Sequence, residues 1–165
     1  FEEDLERLDT IPGVARRTAE QIIAETGIDM SRFPSAAHLC SWAGLAPGNH
    51  ESAGKRKSGR TTKGNPKLRS TLLEAARAAA RTKNTYLSSL YHRIAARRGA
   101  NRAAVAVAHR ILIIVYHLLK EKQTYNELGS HYYEERRREQ VAKQAIRKLQ
   151  SLGYTVTIEA NNQTA

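Results

Sequence analysis

Cysteine is almost absent from the chain. Cys40 stands alone, so no disulfide can form within it, and a reducing compartment fits best. It lies in the apolar stretch AAHLCSWAGL, where a thiol reads as a small buried hydrophobe rather than a reactive group. Long apolar runs are missing too. The longest, ILIIVYHLL (Ile111–Leu119), falls short of the roughly 20 residues that a membrane span needs and reads as part of a core helix. The start, FEEDLERLD, is acidic and charged, unlike a signal peptide. No basic helix carries bulky Trp, Phe and Leu on its opposite face, so no membrane partner is expected. No internal repeat is visible.

What the chain does have is positive charge. Its 165 residues carry a formal net charge of +11, with a pI near 10.1, an apolar fraction of 41% and a mean hydropathy of −0.56. The length suits one domain with a short appendage. The charge favours a polyanionic partner, nucleic acid first, through steering and counterion release. The first residue is Phe1 rather than Met, which points to a piece of a longer chain.

Periodicity predicts an all-α fold, mainly a helical bundle. FEEDLERL reads as a short acidic helix. A helix over Arg16–Thr26 stops at Gly27, and Ser35 is set to cap the next. Asn65-Pro66 is a strong start for a helix over Pro66–Arg81, with Arg69, Arg77 and Arg81 on one stripe. Tyr86–Arg98 ends at Gly99, and Asn101 is expected to cap a central helix over Arg102–Lys120. These elements make a first domain over 1–125. The remainder, 126–165, reads as a charged helix closing at Gly153, a short strand at YTVTIE and a flexible tail. Asp and Glu lie on helix faces among basic neighbours (Glu2, Glu3, Asp4, Glu6; Glu134, Glu135, Glu139) and read as solvated surface, so no metal is expected on this chain. His109 and His117 read as packed or hydrogen-bonded.

Over about residues 5–27, LDTIPGVARRTAEQIIAETG resembles the helix-hairpin-helix motif of DNA repair and recombination proteins. In that motif Gly13 would let the backbone approach a phosphate, N–H groups opening the second helix would face the anion, and Arg16 and Arg17 would add charge. Such contacts position without specifying sequence. Ala15 stands where the motif has its second glycine. The other reading is a packing hairpin that touches no nucleic acid.

Acidic residues are lacking most plainly in GNHESAGKRKSGRTTKGNPKLR, Gly48–Arg69. After Glu51 nothing there offsets Lys55, Arg56, Lys57, Arg60, Lys63, Lys67 and Arg69. The stretch reads as an extended basic loop (48–65), or a loose hairpin around KSGR. Three readings stay open from the residues: a solvated charge run, a phosphate-binding surface, or a nucleophilic site at a serine. No Asp–His–Ser order accompanies it, and ESAG lacks the strand–turn–helix setting of a hydrolase elbow.

The segments LDTIPGVARRTAEQIIAETG, FPSAAHLCSWAGLAPGNHESAGKRKSGRTTKGNPKLRSTLLEAARAA and RAAVAVAHRILIIVYHLL follow one another in order and spacing. Together, over about Leu5–Tyr133, they resemble the C-terminal transposase domain of insertion-sequence family one hundred and ten. These are bridge-RNA-guided, site-specific DNA recombinases. The resemblance implies that Ser52, in Ser52-Ala53-Gly54, is the catalytic serine, with Ser58 as the other candidate. It also implies an N-terminal RuvC-like domain, absent here, whose DEDD carboxylates hold Mg2+. DNA, a guide RNA and further protomers would be partners, in a bacterial, nucleoid-associated, cytoplasmic setting. The chain alone would then be inactive. The alternative is a non-catalytic helix-hairpin-helix module that binds DNA or RNA, and a protein-interaction role for Tyr86, Tyr91, Tyr132 and Tyr133 is a third.

Overall fold

A computed structural model describes residues 1–46, 50–52, 55–58 and 64–161, with only the backbone for the two short central segments. The order of elements is α1 (Glu2–Asp9), α2 (Arg16–Thr26), a 3-10 turn (Met30–Arg32), α3 (Ala36–Ala43), β1 (His50–Ser52), β2 (Lys55–Ser58), α4 (Pro66–Ala80), α5 (Tyr86–Arg98), α6 (Ala100–Glu121) and α7 (Tyr132–Ser151). The chain divides into two units, Phe1–Ser130 and His131–Ala165. Among the described residues the fold is all-α apart from one small hairpin.

In the first unit the core forms around α6. Ala103, Ala104, Val107, Ala108, Ile111, Leu112 and Val115 are fully buried on it. Helices α1, α3, α4 and α5 all pack against α6. Small residues on its N-terminal half admit close neighbours, and the larger Ile and Leu further along contribute about 1.5–3 kcal/mol each by leaving water. By length and composition α6 could cross a bilayer. Here its apolar surface is largely covered by protein.

Local signals account for most boundaries. Ser35, Asn65 and Thr85 each accept the backbone N–H three residues on, as N-caps do, and Pro66 opens α4. Gly44 closes α3 in the left-handed region (φ 78), with Leu45 N–H returning to Cys40 and Gly44 N–H to Ser41. One expected cap is corrected. Gly99 (φ 89), not Asn101, stands before α6, because the same glycine ends α5 and opens α6 with no linker between them.

A second correction concerns Asp4. It is not solvated surface: only 3% of it is exposed, and it binds Arg7 at 2.7 Å and Lys122 at 3.1 Å. Lys122 ends α6 in a left-handed conformation (φ 56) that costs a non-glycine residue about 1 kcal/mol. The ion pair to a buried carboxylate offsets that cost and fastens the end of α6 to α1. The following segment runs back over the unit. Tyr125 N–H donates to Thr10 Oγ1 (2.9 Å), and the Glu127 carboxylate accepts Tyr86 N–H (2.8 Å) at the start of α5.

The second unit is α7 and its tail. Helix α7 buries nothing within its own unit, and Val141, Leu149 and Leu152 are exposed. It closes as the glycine signal requires: Tyr154 N–H bonds to Leu149 and Gly153 N–H to Gln150, with Gly153 at φ 95. The strand expected at Tyr154–Glu159 is not formed. An alternating segment needs a neighbour to hydrogen-bond with, and the second unit supplies none among its described residues.

Removing the Asp4 carboxylate by Asp4→Ala leaves two cations without their buried partner. It is expected to lower unfolding free energy by about 2 kcal/mol, read by urea titration. Burial pushes the Cys40 thiol up to about 11, and its sulfur faces the His109 carbonyl at 4.0 Å. Cys40 should therefore stay unmodified by a disulfide reagent in native buffer at neutral pH and react fully in denaturant.

Candidate nucleic-acid interface

The basic segment is an excursion whose two roots touch. A Cβ built on Gly64 would meet Gly44 N at 2.2 Å and the Ala43 carbonyl carbon at 2.4 Å. Backbone therefore lies directly on backbone where the chain leaves α3 and where it returns to α4. Only glycine permits that approach. Asn65, next in line, fastens the returning root twice. Its Oδ1 accepts Leu68 N–H (3.1 Å), and its Nδ2 donates to Glu25 of α2 (2.8 Å). Trp42, beside the outgoing root, is 43% exposed and leans on Phe33 with ring centroids 5.8 Å apart.

Between the roots, β1 and β2 pair antiparallel, with Ser52 opposite Lys55, Glu51 opposite Arg56 and His50 opposite Ser58. A bulge interrupts the register between His50 and Glu51. The expected hairpin around KSGR is thus corrected. Lys57 and Ser58 belong to a strand, and the strands meet on either side of residues 53–54. Ladder pairing sets this position, because the segment has no apolar alternation to fix a register by burial. Ser52 sits at the tip end of the ladder and Ser58 at the root end. The side chains of Ser52, Lys55, Arg56 and Lys57 lie outside the described residues, as do Arg60 and Lys63 altogether. Lys67 and Arg69 are described, on the first turn of α4: Lys67 is exposed and Arg69 half-buried.

In the hairpin between α1 and α2 the glycine has a packing role. Gly13 has a positive φ of 87°, and a Cβ on it would lie 2.3 Å from the Ala75 carbonyl oxygen and 2.6 Å from Ala79 N. Its missing side chain is used in packing the turn onto α4. Arg16 is likewise engaged. Its guanidinium holds both carboxylate oxygens of Glu2, one at 2.8 Å, and reaches Glu20 at 3.3 Å. These acids raise its pKa further, and the Arg16 guanidinium holds the Glu2 carboxyl below its usual range. Arg17 is exposed, on the first turn of α2, where Ala15 supplies no side-chain cap.

Sequence reasoning missed where α2 and α4 face each other. A groove of ≈ 450 Å³ runs there, lined by Ala15, Thr18, Glu74, Arg77 and Arg81 among others. The stripe of Arg77 and Arg81 on α4 was legible; that it faces the start of α2 was not. Among the described residues no group of His, Cys, Asp or Glu comes together that could hold a metal ion.

These features define a class: a helical domain that presents a pinned basic hairpin and a groove lined in part by arginines. Comparison with known proteins is in keeping with that description. The model of the Transposase IS116/IS110/IS902 family matches residues 5–92, which includes the whole basic excursion. A transposase for insertion sequence element IS1111A from Coxiella burnetii is 39% identical over 131 residues, covering 74% of this chain and 35% of that protein. A pilin gene-inverting protein from Moraxella bovis is 28% identical over 123 residues, covering 73% of this chain and 38% of its own length. The insertion element IS110 uncharacterized 43.6 kDa protein from Streptomyces coelicolor is 52% identical over 40 residues, 24% of this chain and 10% of that protein. The chain belongs to the IS116/IS110/IS902 transposase family. It spans little more than a third of the length of the first two of these relatives.

Gly64→Ala tests the pinned root. A Cβ forced into the Gly44 backbone should separate the two roots, and the expected cost is about 1–3 kcal/mol of stability. Affinity for duplex DNA should fall in the refolded variant, measured by fluorescence anisotropy; stability equal to that of the parent would refute the contact.

Proposed function

We propose that this chain is the DNA-contacting, serine-contributing part of a site-specific recombinase that transposes or inverts DNA segments. The observation that carries the reading is the hairpin itself. Within the family-matched segment, β1 brings Ser52 opposite Lys55 at the tip end of the ladder, with Arg56 and Lys57 following along β2. The pinned roots at Gly44 and Gly64 support it, because a nucleophile has to be presented from a fixed base.

In this reading the Ser52 hydroxyl attacks a DNA phosphorus. A phosphoester bond to Oγ forms, a bond from phosphorus to a deoxyribose oxygen breaks, and that oxygen leaves as a hydroxyl once protonated. Attack by a hydroxyl from another strand reverses the step and joins the new ends. Lys55, Arg56 and Arg60 would stabilise the anionic transition state, and Lys57, Lys63, Lys67, Arg69 and Arg17 would hold flanking phosphates. A base to take the serine proton would come from an acidic RuvC-like domain elsewhere in the protein, where a divalent ion such as Mg2+ would ease that loss and neutralise developing charge. A guide RNA and further protomers complete the proposal, in a bacterial cytoplasm. The relatives' greater length leaves room for such a domain.

Ser52→Ala in the complete recombinase should abolish recombination, read as loss of rearranged product by PCR. Binding of duplex DNA should be unchanged within about twofold, since a neutral hydroxyl releases no counterion. Ser58→Ala should recombine normally. Full activity of Ser52→Ala, or its loss only with Ser58→Ala, would reject the assignment.

A further inference from the structure

Between Glu74 and Glu121 the chain contains no Asp or Glu. The cations of this stretch are not spread evenly. Arg93, Arg97 and Arg98 lie on the second half of α5 and Arg102 on the first turn of α6, and all four are exposed. Gly99 joins the two helices without a linker, so the arginines share one corner. At 1.5 Å per residue, the 13 residues of α5 put this corner roughly 20 Å from the turn at Thr85, where α5 begins. Among the described residues, Arg97, Arg98 and Arg102 have no acidic partner.

Folding alone does not account for this arrangement. Arg97 and Arg98 suit the negative end of the α5 dipole. Arg102 does the opposite: it adds positive charge to the positive end of α6. No acidic residue occupies that first turn, and no side chain caps it. Helix stability would place Asp, Glu, Ser or Thr there. A Cβ at Gly99 would meet nothing within 4 Å, so the space beside the glycine at this corner is open. Uncompensated cations around an uncapped helix start suit an external anion. No exposed aromatic ring lies between Arg93 and Arg102 on which an unpaired base could stack, which favours duplex over single strand.

We propose that the α5–α6 corner is a second, sequence-independent contact for the backbone of duplex DNA, made by residues other than those of the basic hairpin. It rests on the recombinase reading for its choice of DNA. A recombinase grips flanking duplex as well as the reacting phosphate, and a corner on two rigid helices would set the angle at which that duplex leaves the site.

The test uses the 165-residue chain with Arg97→Gln/Arg98→Gln/Arg102→Gln, and the matching Arg→Lys triple. Binding to mixed-sequence duplex DNA is measured across a salt series. The Gln triple should flatten the slope of log K against log salt by about 2.7, the share of three phosphate contacts, and weaken binding on the order of 10²-fold near 0.1 M salt. The Lys triple should keep the parent slope. Because these side chains are exposed, thermal unfolding by circular dichroism should be unchanged. A parent-like slope in the Gln triple overturns the proposal. If a hairpin variant (Lys55, Arg56 and Lys57 to Gln) still loses affinity, the recombinase reading stands without it; if neither variant loses affinity, the DNA reading itself fails. An equal loss on duplex RNA would overturn the choice of DNA.

Discussion

Backbone lying on backbone, at two glycines, is the constraint on which the rest of the first unit depends. Gly13 lets the α1–α2 turn settle onto α4 at Ala75 and Ala79, and Gly64 lets the return of the basic excursion settle onto the end of α3. Both contacts involve α4 or its immediate approach. Helix α4 is therefore seated from two sides before any long side chain is considered, and α6 also packs against it. Alanine-rich surfaces make this workable. Helices whose contacts are Ala and Gly approach closely, and close approach gains dispersion contacts that bulky residues would hold apart.

That seating separates two jobs that look alike in the sequence. Both IPGV and KGNP contain a glycine in a basic neighbourhood, and both suggest phosphate. In each, the space a Cβ would fill is taken by backbone of another helix or its cap, so each glycine has a packing role. The charge that remains for a partner lies beside these turns: Arg17 and the groove residues Arg77 and Arg81 near the first, Lys67 near the second. Arg16 is taken by Glu2, across fourteen residues of sequence, and braces the start of α2 against α1. Positive charge near an anion-binding motif is thus not all available to the anion.

Much of this was legible. The bounds of α2 and α5 follow from Gly27 and Gly99, and the caps Ser35 and Asn65 are local hydrogen bonds encoded within three residues. The all-α class follows from period, and the basic excursion from the absence of acid. What could not be read involves distant partners. Asp4 looked like surface because its second cation, Lys122, is 118 residues away. The role of Gly64 could not be read because Gly44, its contact, lies on the far side of the excursion. The β1–β2 ladder has no apolar alternation, so nothing local fixes its register. The converse failure is Tyr154–Glu159: a good strand pattern without a partner strand in its unit stays irregular.

The distribution of acid follows from the same logic. Acidic residues in the first unit concentrate at its edges, on α1 and α2 and again from Glu121 to Glu127, and there they are occupied in holding elements together: Glu2 with Arg16, Asp4 with Lys122, Glu25 with Asn65, Glu127 with Tyr86 N–H. Between Glu51 and Glu121 only Glu74 interrupts a run of Lys and Arg. A net charge of +11 could have been spread evenly over the surface, where mixed signs would screen one another. Here the acids are spent on internal fastening, and the hairpin and the helices after it are left almost uniformly positive. Self-repulsion within such a surface opposes folding modestly and is relieved when a polyanion binds and releases its counterions. The fold tolerates the repulsion because its core, built on α6 and the two glycine contacts, does not rely on surface ion pairs for cohesion.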